Sequence, residues 1–141
     1  YLIVSKNIHC RNLGLEGVGF HQWEKSAKPR FRWTSQKKAM FEIKVKSETL
    51  ILQLLAANPD LNDKALQTSV IIKDASGNII SRRDATLSEK GKIKDIEFDV
   101  SGYLNEILTV EIETGRTFCM LDYGGGDSRI LGVYTSEPLW K

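Results

Sequence analysis

Apolar and polar residues alternate through most of this chain. Phe41, Ile43 and Val45 are interleaved with Glu42, Lys44 and Lys46. Ile96, Phe98 and Val100 are interleaved with Glu97 and Asp99, and Leu108, Val110 and Ile112 with Thr109, Glu111 and Glu113. A period of two predicts strands with one buried and one wet face, because successive side chains of a strand point to opposite sides. Leu50 to Ala57 is more apolar, interrupted by Gln53, and predicts a more deeply buried strand.

Turn chemistry separates these runs. Asp74-Ala75-Ser76-Gly77-Asn78 lies between Val70–Lys73 and Ile79–Arg82 and predicts a hairpin, with Gly77 free to take a positive φ. Pro59 in Asn58-Pro59-Asp60 ends the strand before it, since proline cannot donate to a ladder. Glu89-Lys90-Gly91, Gly102 and Gly115 mark further breaks. No helical period is sustained; the best helical candidate, Asp60 to Leu66, is only about two turns long. The pattern predicts an all-β chain of about eight or nine short strands, an antiparallel β-sandwich of jelly-roll type. With no repeat, linker or low-complexity tract, residues 1–141 read as a single domain.

The 141 residues are enough for one real core, and a hydrophobic fraction of 41% with 27% charged residues is ordinary for a globular protein. A net charge of +2 argues against a nucleic-acid partner, which demands a stronger bias. No apolar run approaches the roughly 18 residues that cross a bilayer, and no secretory leader pattern opens the chain. The first residue is not Met, so a domain excised from a larger protein is expected. Cys10 and Cys119 lie in strand-like surroundings and read as buried, reduced thiols; a disulfide requires that they face each other. Neither belongs to a CxxC pair, so zinc is not expected.

Two segments break the strand rhythm, Gly17–Lys38 and Cys119–Gly132, and both mix glycine, aromatic and charged residues. Binding residues concentrate on loops held by a rigid scaffold, so function is expected there. The first contains Gly19-Phe20-His21-Gln22-Trp23-Glu24 and then Pro29-Arg30-Phe31-Arg32-Trp33-Thr34. Sugar rings have apolar C–H faces and polar edges, and a protein holds them with an aromatic ring on the face and charged or amide groups at the hydroxyls. Trp23 and Trp33, with His21, Glu24 and Arg32 nearby, supply that chemistry; Trp33 could equally face the core through the Phe31–Trp33 alternation. The cations Lys25, Lys28, Arg30, Arg32, Lys37 and Lys38 admit three readings: recognition of an acidic sugar or phosphate, a single-stranded nucleic-acid surface, or a solvated basic face.

The second segment, Asp122-Tyr123-Gly124-Gly125-Gly126-Asp127-Ser128-Arg129, is not a phosphate cradle, because no Gly-Lys-Ser/Thr follows and the next element is a strand. Asp127 and Arg129 are placed to pair with each other, or Arg129 to reach Glu24; a buried ion pair pinning two loops is the architectural alternative. Catalysis has little support. Glu24 with Asp122 or Asp127 could be drawn as a glycosidase pair, but nothing requires it. His21 has no Gly-x-Ser-x-Gly partner, and His9 and His21 are too scattered for a metal site. An exposed calcium site from Asp60, Asn62 and Asp63 is a minor alternative. No catalytic residue, metal or cofactor is assigned.

Taken together, the Gly19–Glu24 element, Phe31-Arg32-Trp33-Thr34, and Asp127-Ser128-Arg129-Ile130-Leu131-Gly132 resemble a known module. Over about Gly14 to Leu139 the chain resembles the carbohydrate-binding β-sandwich domains of bacterial polysaccharide-assembly proteins: the C-terminal domain of Wzt-type O-antigen ABC exporters, and the related accessory domains of glycosyltransferases and methyltransferases. The opening strand pattern of the commoner exporter modules is absent, which leaves transporter or glycosyltransferase as the parent. The resemblance implies non-catalytic recognition of a bacterial surface polysaccharide, through an acidic, Kdo-like terminal cap, to license export in lipopolysaccharide biosynthesis, on the cytoplasmic side and peripheral to the inner membrane. The expected binding residues are His21, Trp23, Glu24, Arg30, Arg32, Trp33, Tyr123, Asp127 and Arg129. The alternative is a structural or protein-interaction domain of a glycosyltransferase; a homodimer is compatible with either reading.

Overall fold

The alternating runs become strands. A computed structural model describes residues 13–24 and 28–141. It contains β1 (Phe31–Trp33), β2 (Lys38–Lys44), β3 (Thr49–Leu55), β4 (Leu66–Lys73), β5 (Ile79–Leu87), β6 (Lys94–Asp99), β7 (Ile107–Thr114), β8 (Tyr134–Ser136) and β9 (Leu139–Trp140). Phe41, Ile43, Val45, Ile96, Phe98, Val100, Leu108, Val110 and Ile112 are all buried in the core, as their spacing predicts. Leu50, Leu52, Leu54 and Ala56 are fully buried, and β3 is paired on both sides, by β6 on one and by β8 and β9 on the other.

The expected hairpin joins β4 and β5. Gly77 takes φ 86°, and the Asp74 carboxylate accepts the N–H groups of Ser76 and Asn78 at 2.9 Å each, closing the turn. Asp60 to Leu66 is not a helix. It folds as tight turns, and Leu66 already opens β4. The Arg116 guanidinium takes the carbonyls of Lys64 and Ala65 and the Asp60 carboxylate, claiming acceptors that a helix would use, and two turns alone cannot offset the cost of helix nucleation.

The topology is a jelly roll. One sheet has the order β1-β8-β3-β6, with β9 on β3; the other has the order β2-β7-β4-β5. Strand 1 pairs with 8, 2 with 7, 3 with 6 and 4 with 5, all antiparallel. That nesting is one long hairpin rolled over itself, with the Asp74–Asn78 turn at its tip. Its open end lies at β1 and β8. The β1–β2 and β7–β8 connections therefore cross between the sheets side by side, although about a hundred residues separate them in sequence.

The outer face of the second sheet carries a charge inside its covering side chains. Glu111 is 4% exposed, with the Lys38 ammonium at 3.2 Å and that of Lys73 at 2.5 Å. Burial works to raise its pKa, but the two ammonium groups outweigh this and hold the carboxyl below its usual range.

Candidate functional site

The parallel crossings bring the two irregular segments together at one rim. Thr34 and Gly132–Val133 clasp each other: Thr34 N–H donates to Val133 O and Gly132 N–H to Thr34 O at 2.9 Å, and Val133 N–H donates to Thr34 Oγ1 at 3.0 Å. A Cβ on Gly132 would lie 2.2 Å from Thr34 Oγ1, so only glycine permits this approach. His21 N–H donates to Trp33 O at 2.9 Å and Glu24 N–H to Phe31 O at 2.8 Å, which covers the free edge of β1. The His21 ring reaches across, with Nε2 2.7 Å from Ile130 O. His21 thus ties the two loops by its side chain.

Arg129 and Asp127 form a two-pronged pair, Nε to Oδ1 at 3.0 Å and Nη2 to Oδ2 at 2.7 Å, with Arg129 N–H also on Oδ1 at 3.0 Å. These bonds from Arg129 hold the Asp127 carboxyl down at about 2, and the same pairing raises Arg129. Glu24 faces the pair from the first segment, its Oε2 3.9 Å from Arg129 Nη1. The Tyr134 hydroxyl stands 3.5 Å from Glu24 Oε1; burial first, and the Glu24 charge next, raise its pKa. The side chains of Glu24, Arg129 and Asp127 are 41%, 38% and 34% exposed, so this is an open polar cluster, not the buried ion pair of the architectural alternative.

Beside it runs an aromatic row. Arg32 lies opposite Thr135, and Thr135 opposite Leu54, on the core side of the sheet; Phe31, Trp33 and Tyr134 therefore point to its outer side. The Phe31 and Tyr134 rings stack at 5.0 Å, Trp33 tilts against Tyr134 at 4.8 Å, and Phe118 meets Trp33 edge-on at 6.0 Å. All but Phe118 are half-buried. Tyr123 is exposed at the end of a 3-10 turn, Met120–Tyr123, and its side chain makes no hydrogen bond or ring contact among the described residues.

Three expected ligand contacts are placed otherwise. Arg32 is 2% exposed. Its guanidinium lies between the rings of Phe20 and Trp23, at 3.7 and 4.1 Å, and donates to Leu15 O and Glu16 O at 2.7 Å each. Burial lowers its pKa to about 10, which leaves it charged at neutral pH. Arg32 is thus the pin of the Leu13–Glu24 segment, and a ligand at the surface does not reach it. Trp23 stacks on Arg32 and, at 4.6 Å, on Arg30; its Nε1 is sealed from solvent without a hydrogen-bond partner among the described residues. Arg30 turns to Glu137, at 3.6 Å, a carboxylate it shares with Lys28 at 4.0 Å.

The basic cluster read from sequence is therefore dispersed: Lys38 pairs with Glu111, Lys37 is exposed, and Lys25 lies outside the described residues, as do His9 and Cys10. Cys119 is a free, half-buried thiol, 3.7 Å from Asp127 O. Asp60 is engaged by Arg116, and no group of three or more His, Cys, Asp or Glu gathers as a metal site among the described residues. A groove of about 600 Å³ lies elsewhere, between the ends of β2 and β9, lined by Trp140, Lys44, Lys46 and Ile107 and bordered by Gly14, near where the described residues begin. Phe31 and Tyr134 went unrecognised as site residues in the sequence. Their signal is the aromatic alternation in two short strands, which gains meaning only once β1 is known to pair with β8.

Fold and rim together define a β-sandwich module that gathers half-buried rings and an open polar cluster at one end. No family model and no curated protein matches the sequence. Similar solved structures include TmCBM61 in complex with beta-1,4-galactotriose, at 10% identity over 93% of this chain and 97% of that one, TM-score 0.44. CBM35 from Cellvibrio japonicus Abf62 is 15% identical over 83% of this chain and 85% of that one, TM-score 0.45. The family GH115 4-O-methyl-alpha-glucuronidase BtGH115A, with specificity for decorated arabinogalactans, is 11% identical over 87% of this chain but only 17% of its own length, TM-score 0.49. The first two are carbohydrate-binding modules; the third is a much longer enzyme chain.

Proposed function

We propose that this chain is a non-catalytic carbohydrate-binding module whose ligand is a bacterial surface polysaccharide. The observation that carries the reading is the meeting, at one rim, of half-buried Trp33 and Tyr134 with the open Glu24–Arg129–Asp127 cluster. Rings meet the apolar face of a sugar, and the polar cluster meets its hydroxyls, the usual division of labour in a ligand site. His21 positions the rim by tying its two loops. Asp127, held at about 2 by Arg129, is not the acid of a glycosidase pair, and both of its oxygens accept from Arg129.

A role in licensing export, in the cytoplasm and within a transporter or glycosyltransferase, is the finer part of this proposal and rests on the resemblance of Phe31-Arg32-Trp33-Thr34 and Asp127-Ser128-Arg129 to exporter modules. Titration of the isotope-labelled protein with surface-polysaccharide fragments, capped and uncapped, tests it. Shifts confined to Glu24, Trp33, Arg129 and Tyr134 are expected, and an unresponsive spectrum would sink the carbohydrate reading.

A protein-interaction role is the second reading. Leu121, Tyr123 and Ile130 are 54%, 51% and 50% exposed on the same loop, an apolar tip suited to a second copy of the chain. Light scattering across a concentration series separates the two: a dimer broken by Leu121→Ser and no sugar response would favour it.

A further inference from the structure

We infer that the rim selects an uncharged glycan by reading one sugar hydroxyl between Glu24 and Arg129, and that it turns away a carboxylate at that position. The inference rests on the carbohydrate-binding reading above and replaces its acidic cap with a neutral ligand. Arg129 spends its Nε–H and one Nη2–H on Asp127, and Nη1 is the nitrogen that stands nearest Glu24. Nη1 and Glu24 Oε2 are 3.9 Å apart, too far to bond to each other directly. An oxygen about 2.8 Å from each atom completes a triangle with an angle of roughly 90° at that oxygen. A hydroxyl suits this seat because it accepts from the guanidinium and donates to the carboxylate at once; an ionised carboxylate is acceptor-only and meets Glu24 with like charge.

The surrounding charges agree. Among the described residues, the cluster sets the carboxylates of Glu24 and Asp127 against the Arg129 guanidinium, with the His21 ring also close to Asp127. Of the other cations expected at an acidic sugar, Arg32 is committed to the Leu15 and Glu16 carbonyls, and Arg30 and Lys28 lie towards Glu137, at 3.6 and 4.0 Å. The Tyr134 hydroxyl stands 3.5 Å from Glu24 Oε1 while Oε2 is the oxygen nearest Arg129, so Tyr134 borders the seat.

The test uses the full chain and two matched probe sets, neutral hexose oligosaccharides and the corresponding hexuronate oligosaccharides, titrated while amide shifts are followed. The wild type is expected to bind neutral members at least about tenfold more tightly than their uronate counterparts. Glu24→Gln, at an exposed position, is expected to keep the folded spectrum, weaken neutral binding about three- to tenfold, and shrink the selectivity to about twofold. Uronates binding as tightly as the neutral set would overturn this inference and leave the carbohydrate reading standing. Unchanged selectivity in Glu24→Gln would overturn the role of Glu24. If neither set moves a rim resonance, the carbohydrate reading fails and this inference falls with it.

Discussion

Replacing Arg32 with alanine is expected to destabilise the fold by about 4 kcal/mol, an effect unrelated to ligand contact. The guanidinium donates two hydrogen bonds at 2.7 Å to the carbonyls of Leu15 and Glu16. Hydrogen bonds to a charged group contribute about 1.5–3 kcal/mol each. Stacking between Phe20 and Trp23, desolvated at 2% exposure, adds about 1–2 kcal/mol. The relief of a buried charge offsets part of that total, which brings the net to about 4 kcal/mol. For a chain of 141 residues this corresponds to a fall in Tm of roughly 12 °C. Urea melts of wild type, Arg32→Ala and Arg32→Met measure it. The methionine retains the stem packing and should recover about half of the loss. An Arg32→Ala protein within about 1 kcal/mol of wild type would refute the buried clamp and return Arg32 to the surface role that its sequence context suggests.

Gly132→Ala should cost about 2–3 kcal/mol in the same melts, because its methyl group would stand 2.2 Å from Thr34 Oγ1 where the two loops close. The Asp127 carboxyl, with its folded pKa lowered to about 2 against about 3.9 unfolded, contributes stability that is full above pH 4 and lost as pH falls towards 2. Carbon-detected titration should show that inflection near 2, and Arg129→Ala should move it back towards 3.9. Tyr134→Phe removes one long hydrogen bond to Glu24 and should change stability by less than about 1 kcal/mol while weakening glycan binding severalfold, read by the same titration. Glu111→Ala leaves Lys38 and Lys73 facing each other without their carboxylate and should cost about 2–3 kcal/mol; because that carboxyl is held below its usual range, its contribution is present above the ordinary carboxylate range and fades as pH falls through and below it.

The strands were legible because water sorts their two faces. Phe41, Ile43 and Val45, or Leu108, Val110 and Ile112, announce one buried side whatever the partner strand, and the Asp74–Asn78 turn carries its own local chemistry. The Asp60–Leu66 segment misled because its fate is decided by Arg116, a residue about fifty positions away. The site was legible as two segments, but not in its polarity. In Phe31-Arg32-Trp33 the usual rule inverts: the charged residue faces inward and the aromatic residues outward. Nothing local reveals that, since the acceptors of Arg32 are backbone carbonyls and its cover is Phe20 and Trp23, a dozen residues or fewer upstream. Tyr134 acquires its role only through its register opposite Trp33.

The nested strand pairing also governs when the rim can come into being. Phe31 meets Ser136, so the ladder that seats the aromatic row cannot close until the chain through Ser136 has been made. The β4–β5 hairpin, local in sequence, is available far earlier. The β1–β8 ladder closes a far longer loop, which costs more chain entropy. A chain truncated before Tyr134 would keep the hairpin tip and lose the aromatic row outright, so the rim is completed only when β8 docks on β1.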